Sequence, residues 1–243
     1  MRVIRILGVC MIAGLALGAV GVSAAQAQFE FGKCQKAAKV GKEYQGHFKD
    51  KNCTEEVATG GKYEFAPLPE GSAVAQTGKG KGVTLSIPAI GQSMTCSKSA
   101  MHDNLTGPKE GEGTVAFTGC TSSLGTCSTG STGGEVAMKV KIKLDYTPPK
   151  EVTIEIVFGK NVTEAARIKC GTTEIGLYGS TDGFETGNVD LMSTKSLDTW
   201  GGPNGVSSLV VEAGGAQLPA EMSAAISLKN EKLEVKTKEE SGT

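Results

Sequence analysis

Val136-Ala137-Met138-Lys139-Val140-Lys141-Ile142-Lys143-Leu144 places apolar side chains at every second position and interleaves three lysines. Strict period two over this length describes a half-buried antiparallel strand with one wet face. Tyr146-Thr147-Pro148-Pro149-Lys150 supplies a turn, and Val152-Thr153-Ile154-Glu155-Ile156 repeats the alternation, so a hairpin is the simplest topology. The same texture spreads outward. Val83–Ile87, Ser93–Ser97, Gly113–Thr118, Arg167–Cys170, Glu174–Tyr178, Val206–Glu212, Glu221–Leu228 and Lys232–Thr237 all have strand composition. Glycine, at 34 residues, sits with Thr and Ser between these runs, which suits many turns better than long helices. The expectation is an all-β chain, an antiparallel sandwich or open barrel. Met222-Ser223-Ala224-Ala225-Ile226 after Pro219 fits a short helix as well as a strand.

The N-terminus has the layout of a secretory signal peptide. Arg2 and Arg5 precede an apolar run from Ile6 to Val22, and Ala25-Gln26-Ala27 forms a small-x-small cleavage site before Gln28. An uncleaved anchor would need about 20 apolar residues, and this run carries four glycines. Leu7-Gly8-Val9-Cys10 places bulky Val9 where a lipoprotein site wants a small residue. Cleavage at residue 27 leaves 216 residues and an even set of cysteines: Cys34, Cys53, Cys96, Cys120, Cys127 and Cys170. In an oxidising compartment these form bridges.

Four segments follow: signal peptide 1–27, a Cys-bridged N-terminal lobe 28–69 with two or three short strands, a main β domain 70–237 and a frayed charged tail 238–243. Pro67, Pro69, Gly71 and Thr77-Gly78-Lys79-Gly80-Lys81-Gly82 read as a linker or wide loop. Six cysteines allow fifteen connectivities. Short loops and hairpin placement favour Cys34–Cys53 and Cys120–Cys127, which leaves Cys96–Cys170.

Charge is balanced. Without Arg2 and Arg5, 23 basic residues face 26 acidic ones, so no basic footprint points to nucleic acid or anionic lipid. Aromatic residues make up 5% of the chain, with Trp200 the single tryptophan, which argues against stacking platforms for sugars or bases. No later segment is long and apolar enough to span a membrane as a helix.

Gly32-Lys33-Cys34, Asn52-Cys53-Thr54, Gly61-Lys62-Tyr63-Glu64-Phe65, Met94-Thr95-Cys96, Phe117-Thr118-Gly119-Cys120, Cys127, Lys169-Cys170-Gly171 and Asn230-Glu231-Lys232-Leu233-Glu234-Val235 follow in order along the chain. This order resembles a family of uncharacterised secreted β-rich proteins with six mature cysteines, found in many copies in certain Gram-positive soil bacteria. The resemblance implies a secreted, extracellular protein and carries over no activity and no site residues. Ser180 to Gly202 is longer and more acidic than that pattern.

Chemistry-bearing residues are few. His47 and His102 are the only histidines. His102-Asp103 invites comparison with a base and its orienting carboxylate, yet neighbours in an extended chain point to opposite faces. Glu110 and Glu112 could be set as paired glycosidase carboxylates, but they lack an aromatic cleft and read as a solvated turn. Asn52, Asn104 and Asn161 match the glycosylation sequon; the resemblance, being to bacterial proteins, implies that these are chance matches. No Gly-x-Ser-x-Gly elbow occurs. Asp182, Glu185, Asn188 and Asp190 form the candidate metal site, an acidic loop whose oxygens suit calcium although its spacing departs from the EF-hand. No cofactor is implied. The functional expectation is a secreted, non-enzymatic, disulfide-stabilised β domain in contact with the cell envelope or an extracellular polymer. The alternative is an extracellular hydrolase in which two or three of His47, His102, Asp103, Glu110, Glu112, Asp182 and Glu185 converge.

Overall fold

The structure is a computed structural model that describes residues 28–130, 132–147, 151–186, 193–201 and 207–238. The signal peptide, Asn188 and Asp190 of the acidic loop, and the tail beyond Lys238 lie outside these residues.

The chain is all-β. Its N-terminal strands are β1 (Gln28–Lys36), β2 (Lys39–Val40), β3 (Glu43–Tyr44), β4 (Gly46–Phe48), β5 (Glu56–Gly61) and β6 (Tyr63–Pro67). Then come β7 (Val74–Ile87), β8 (Gln92–Leu105), β9 (Glu110–Thr118), β10 (Thr121–Ser122), β11 (Gly125–Ser128) and β12 (Glu135–Thr147). The remainder are β13 (Glu151–Gly159), β14 (Ala166–Cys170), β15 (Thr173–Thr186), β16 (Ser193–Trp200), β17 (Leu209–Ala213) and β18 (Ala216–Lys238).

From β7 onward the strands form a closed eight-stave barrel in up-and-down order, as β18 pairs back onto β7. Four staves, β7, β8, β15 and β18, are continuous. The other four are broken into two segments each: β9 with β10 along β8, β12 with β11, β13 with β14 along β15, and β16 with β17 between β15 and β18. Full closure removes the exposed sheet edges that an open barrel would present.

Alternation decides which face goes inside. Val136, Met138, Val140, Ile142 and Leu144 of β12 are buried and meet Val152, Ile154, Ile156 and Phe158 of β13, the hairpin that their periodicity predicts. Lys139, Lys141 and Lys143 point outward. Charge outside and apolar side chains inside are the reverse of a lipid-facing barrel. No helix of the described residues is long and apolar enough to cross a membrane.

Two local expectations are corrected, and at Met222–Ile226 the strand reading holds over the helical alternative. The glycine-rich stretch Thr77–Gly82 is strand β7, not a linker. Cβ atoms at Gly78 would meet the methyls of Ile226 and Leu228, and one at Gly80 would meet the Ala225 carbonyl, so glycine here permits close approach of β18. Met222–Ile226 is strand, with Met222, Ala224 and Ile226 buried on one face. Glu110 and Glu112 open strand β9 instead of forming a turn.

The N-terminal lobe carries six short strands, not two or three. Its boundary with the barrel is bridged, because β18 runs on past the barrel and pairs with β1 from Glu234 to Lys238. Lys238 therefore pairs with Gln28 and does not fray. Phe29, Phe31 and Leu68 join the barrel core, and the Phe31 amide donates to the Pro108 carbonyl at 2.7 Å.

The disulfides are Cys34–Cys53, Cys96–Cys120 and Cys127–Cys170. The first matches the sequence reading; Cys96–Cys170 and Cys120–Cys127 are corrected. The reason is stave order. Cys96 on β8, Cys120 at the β9–β10 break, Cys127 on β11 and Cys170 on β14 form a buried row across four adjacent staves. Cys127 lies directly opposite Cys170 across the β11–β14 ladder. Cys120 accepts a backbone hydrogen bond from Cys127 at 3.0 Å, yet its sulfur turns to the other side, toward β8.

Candidate functional site

The barrel interior is not uniformly apolar. Gln76 on β7, Ser99 and Asp103 on β8, Glu185 on β15, and Ser196 and Asp198 on β16 are all buried, each at most 5% exposed. Register places them together. Gln76 lies opposite Asp103, and Glu185 lies opposite Asp198. In antiparallel ladders, directly opposed residues share a face, so both pairs look inward.

Both oxygens of Asp103, Oδ1 of Asp198, Nε2 of Gln76 and the hydroxyls of Ser99 and Ser196 have no hydrogen-bond partner among the described residues. Burial, and after it the charge of Glu185, pushes the Asp103 carboxyl up to about 7. Burial, then Glu185 and Asp103, pushes the Asp198 carboxyl well above the usual carboxylate range. A carboxylate in a medium of low polarity is costly without a counter-charge, and among the described residues no Lys, Arg or His is buried.

The expected site residues divide between the two sides of the wall. Asp103 and Glu185 converge inside, joined by Asp198. His102 points outward, opposite to its neighbour Asp103, as extended-chain geometry requires. It meets Glu112 in an outer groove of about 520 Å³, shared with Asn104, Lys139, Lys141 and Glu164. Glu110 lies in a different hollow with Lys143 and Glu155. His47 sits on the lobe, its Nδ1 at 2.9 Å from Glu64 Oε2.

The described part of the candidate calcium loop, residues 182–186, is strand. Asp182 and Glu185 belong to β15 and face opposite sides of the barrel wall, which keeps them from sharing one cation. The groups that act on Asp182 are Glu155 and Asp145; burial first, then those two charges, raises its carboxyl. Among the described residues no three His, Cys, Asp or Glu side chains are grouped so as to hold a metal ion.

Asp198 escaped the sequence reading because β16 inverts the usual code. In Ser196-Leu197-Asp198-Thr199-Trp200, the buried positions are Ser196, Asp198 and Trp200, while Leu197 is exposed. The one signal available was Trp200, whose phase marks Asp198 as inward. One further carboxylate is set by local structure. Asp50 accepts from the amides of Asn52, Thr54 and Glu55 at 2.8–2.9 Å, closing the turn that carries Cys53. Desolvation opposes these hydrogen bonds, from Glu55, Thr54 and Asn52, but they bring its carboxyl down to about 2.

No family model matches the chain, and neither the curated proteins nor the solved structures contain a match to it.

Proposed function

We propose that this chain is an exported, non-enzymatic barrel that acts outside the cell by binding, with a cell-envelope or secreted polymer as its partner. Three disulfides suit an oxidising compartment. The observation that carries the reading is the division of polar groups by the wall. The acids that converge, Asp103, Glu185 and Asp198, are buried on the inner side, whereas the outer groove offers His102, Lys139 and Lys141 beside Glu112 and Glu164 in open solvent. A rigid, mixed-charge groove suits recognition of a polar polymer.

The hydrolase alternative has Asp103 and Glu185 in its favour, since they do converge. It lacks access. Retention of the mature protein on cell-wall material and on secreted polymers tests the binding reading, with Lys139→Glu/Lys141→Glu as the groove variant. Retention by the native protein and its loss in the variant support the proposal. Equal retention of both, or none on any material, overturns it.

A further inference from the structure

We propose that β16 is a pH-operated latch: it closes the barrel while Asp103 and Asp198 are protonated, and their ionisation releases it. The two halves of the barrel are secured by different means. Two disulfides staple neighbouring segments along one side, Cys96 on β8 to Cys120 at the β9–β10 break and Cys127 on β11 to Cys170 on β14. No disulfide touches β16, an eight-residue segment that closes the other half between β15 and β18.

The inward face of β16 carries Ser196, Asp198 and Trp200. The groups that face Asp198 are few. Among the described side chains, β15 offers Glu185, β8 offers Asp103 with Ser99, and β7 offers Gln76, opposite which Asn230 of β18 stands in register; the inward faces of β12, β13 and β18 up to Leu228 are apolar. The titratable groups among these described side chains are thus all acids. A protonated carboxyl can donate to a neighbouring hydroxyl, amide or carboxyl oxygen, but an ionised one in this space repels the next. Like charges close together across a ladder weaken that ladder. The raised titration of Asp103 and Asp198 agrees with this geometry.

The sign follows from proton linkage. A carboxyl whose folded value lies above its unfolded one stabilises the closed form fully below about 4, and that stabilisation is lost as pH rises through about 7. The strand that gives way first is the one that bears Asp198 and lacks a covalent tie.

Trp200, the single tryptophan, lies at the end of β16 and is 2% exposed, so its emission reports on the latch. Hydrogen exchange on the mature, oxidised protein at pH 5 and pH 8.5, corrected for the intrinsic rate change, provides the second readout. The expected result is at least tenfold faster exchange over residues 193–200 at pH 8.5 with a red shift of Trp200, while residues 166–177 keep their protection. Asp103→Asn/Asp198→Asn should abolish both changes. Unchanged protection of 193–200 in the native protein, equal opening of both regions, or a pH response that survives in the double variant would each overturn the latch. The native measurement stands without the variant if the latter does not fold.

Discussion

Glu185 and Asp198 face each other directly across the β15–β16 ladder, both inside the barrel and both almost completely buried. Two acids at opposed positions are a poor choice for a ladder that must hold at every pH. They are tolerable where at least one stays protonated, which ties the stability of this part of the barrel to proton activity.

Asp103→Asn should therefore stabilise the protein at pH 8 and have a smaller effect at pH 4. Native Asp103 keeps its proton up to about 7, against about 4 when unfolded, so its burial becomes a penalty as pH climbs between those values. The expected gain at pH 8 is about 1–3 kcal/mol, allowing for imperfect hydrogen bonding of the amide. Urea denaturation of both proteins at the two pH values measures it. A loss of stability at pH 8 would contradict the assignment.

The lobe should respond to pH with the opposite sign. Asp50 is held at about 2 by its three backbone donors, so its contribution is present above about 4 and disappears as pH falls through 2. Asp50→Ala removes those acceptors and should cost about 1 kcal/mol. Limited proteolysis near residues 50–56 provides the check: the variant at pH 7 should be cut faster than the native chain.

Non-reducing peptide mapping should link Cys96 to Cys120 and Cys127 to Cys170. The second bridge spans 43 residues and the first 24. On the chain-entropy account, Cys127→Ser/Cys170→Ser costs about 4 kcal/mol and Cys96→Ser/Cys120→Ser about 3.5 kcal/mol. Denaturant midpoints of the two double variants rank them, and a reversed order would count against loop length as the controlling quantity.

Gly183 lies opposite Trp200, and a Cβ there would run into the indole. Gly183→Ala should push the ring out of place, cost about 2 kcal/mol, and shift the tryptophan emission to longer wavelength even at pH 5. Steady-state fluorescence detects this directly. An unshifted spectrum would mean that the ring and strand relax without losing their packing.

Much of the fold was legible in residues 136–144 and 152–156. Period-two alternation with charge between apolar side chains depends only on the pleat of a strand, so the β class, the hairpin and the inward face of β12 followed from local sequence. The opposite orientations of His102 and Asp103 followed from the same rule. Closure did not, because it depends on β18 meeting β7, strands that stand at opposite ends of the barrel's chain order. The glycine run of β7 misled for a related reason: Gly78 and Gly80 have no side chain because β18 comes close, a demand that appears only once the distant strand is in place.

Cysteine number and the bridge within the lobe could be read from the chain, since Cys34 and Cys53 close a short local loop. The remaining partners could not. Cys120 has a neighbouring stave on each side, and only the barrel's order decides that it bonds to Cys96 and leaves Cys127 for Cys170. The interior acids belong to the same class. Sequence by itself determined only that Asp103 points away from His102, and it left Asp198 unmarked; tertiary structure brought β8, β15 and β16 together, and removal from water turns the ordinary carboxyls of Asp103 and Asp198 into pH-sensitive groups.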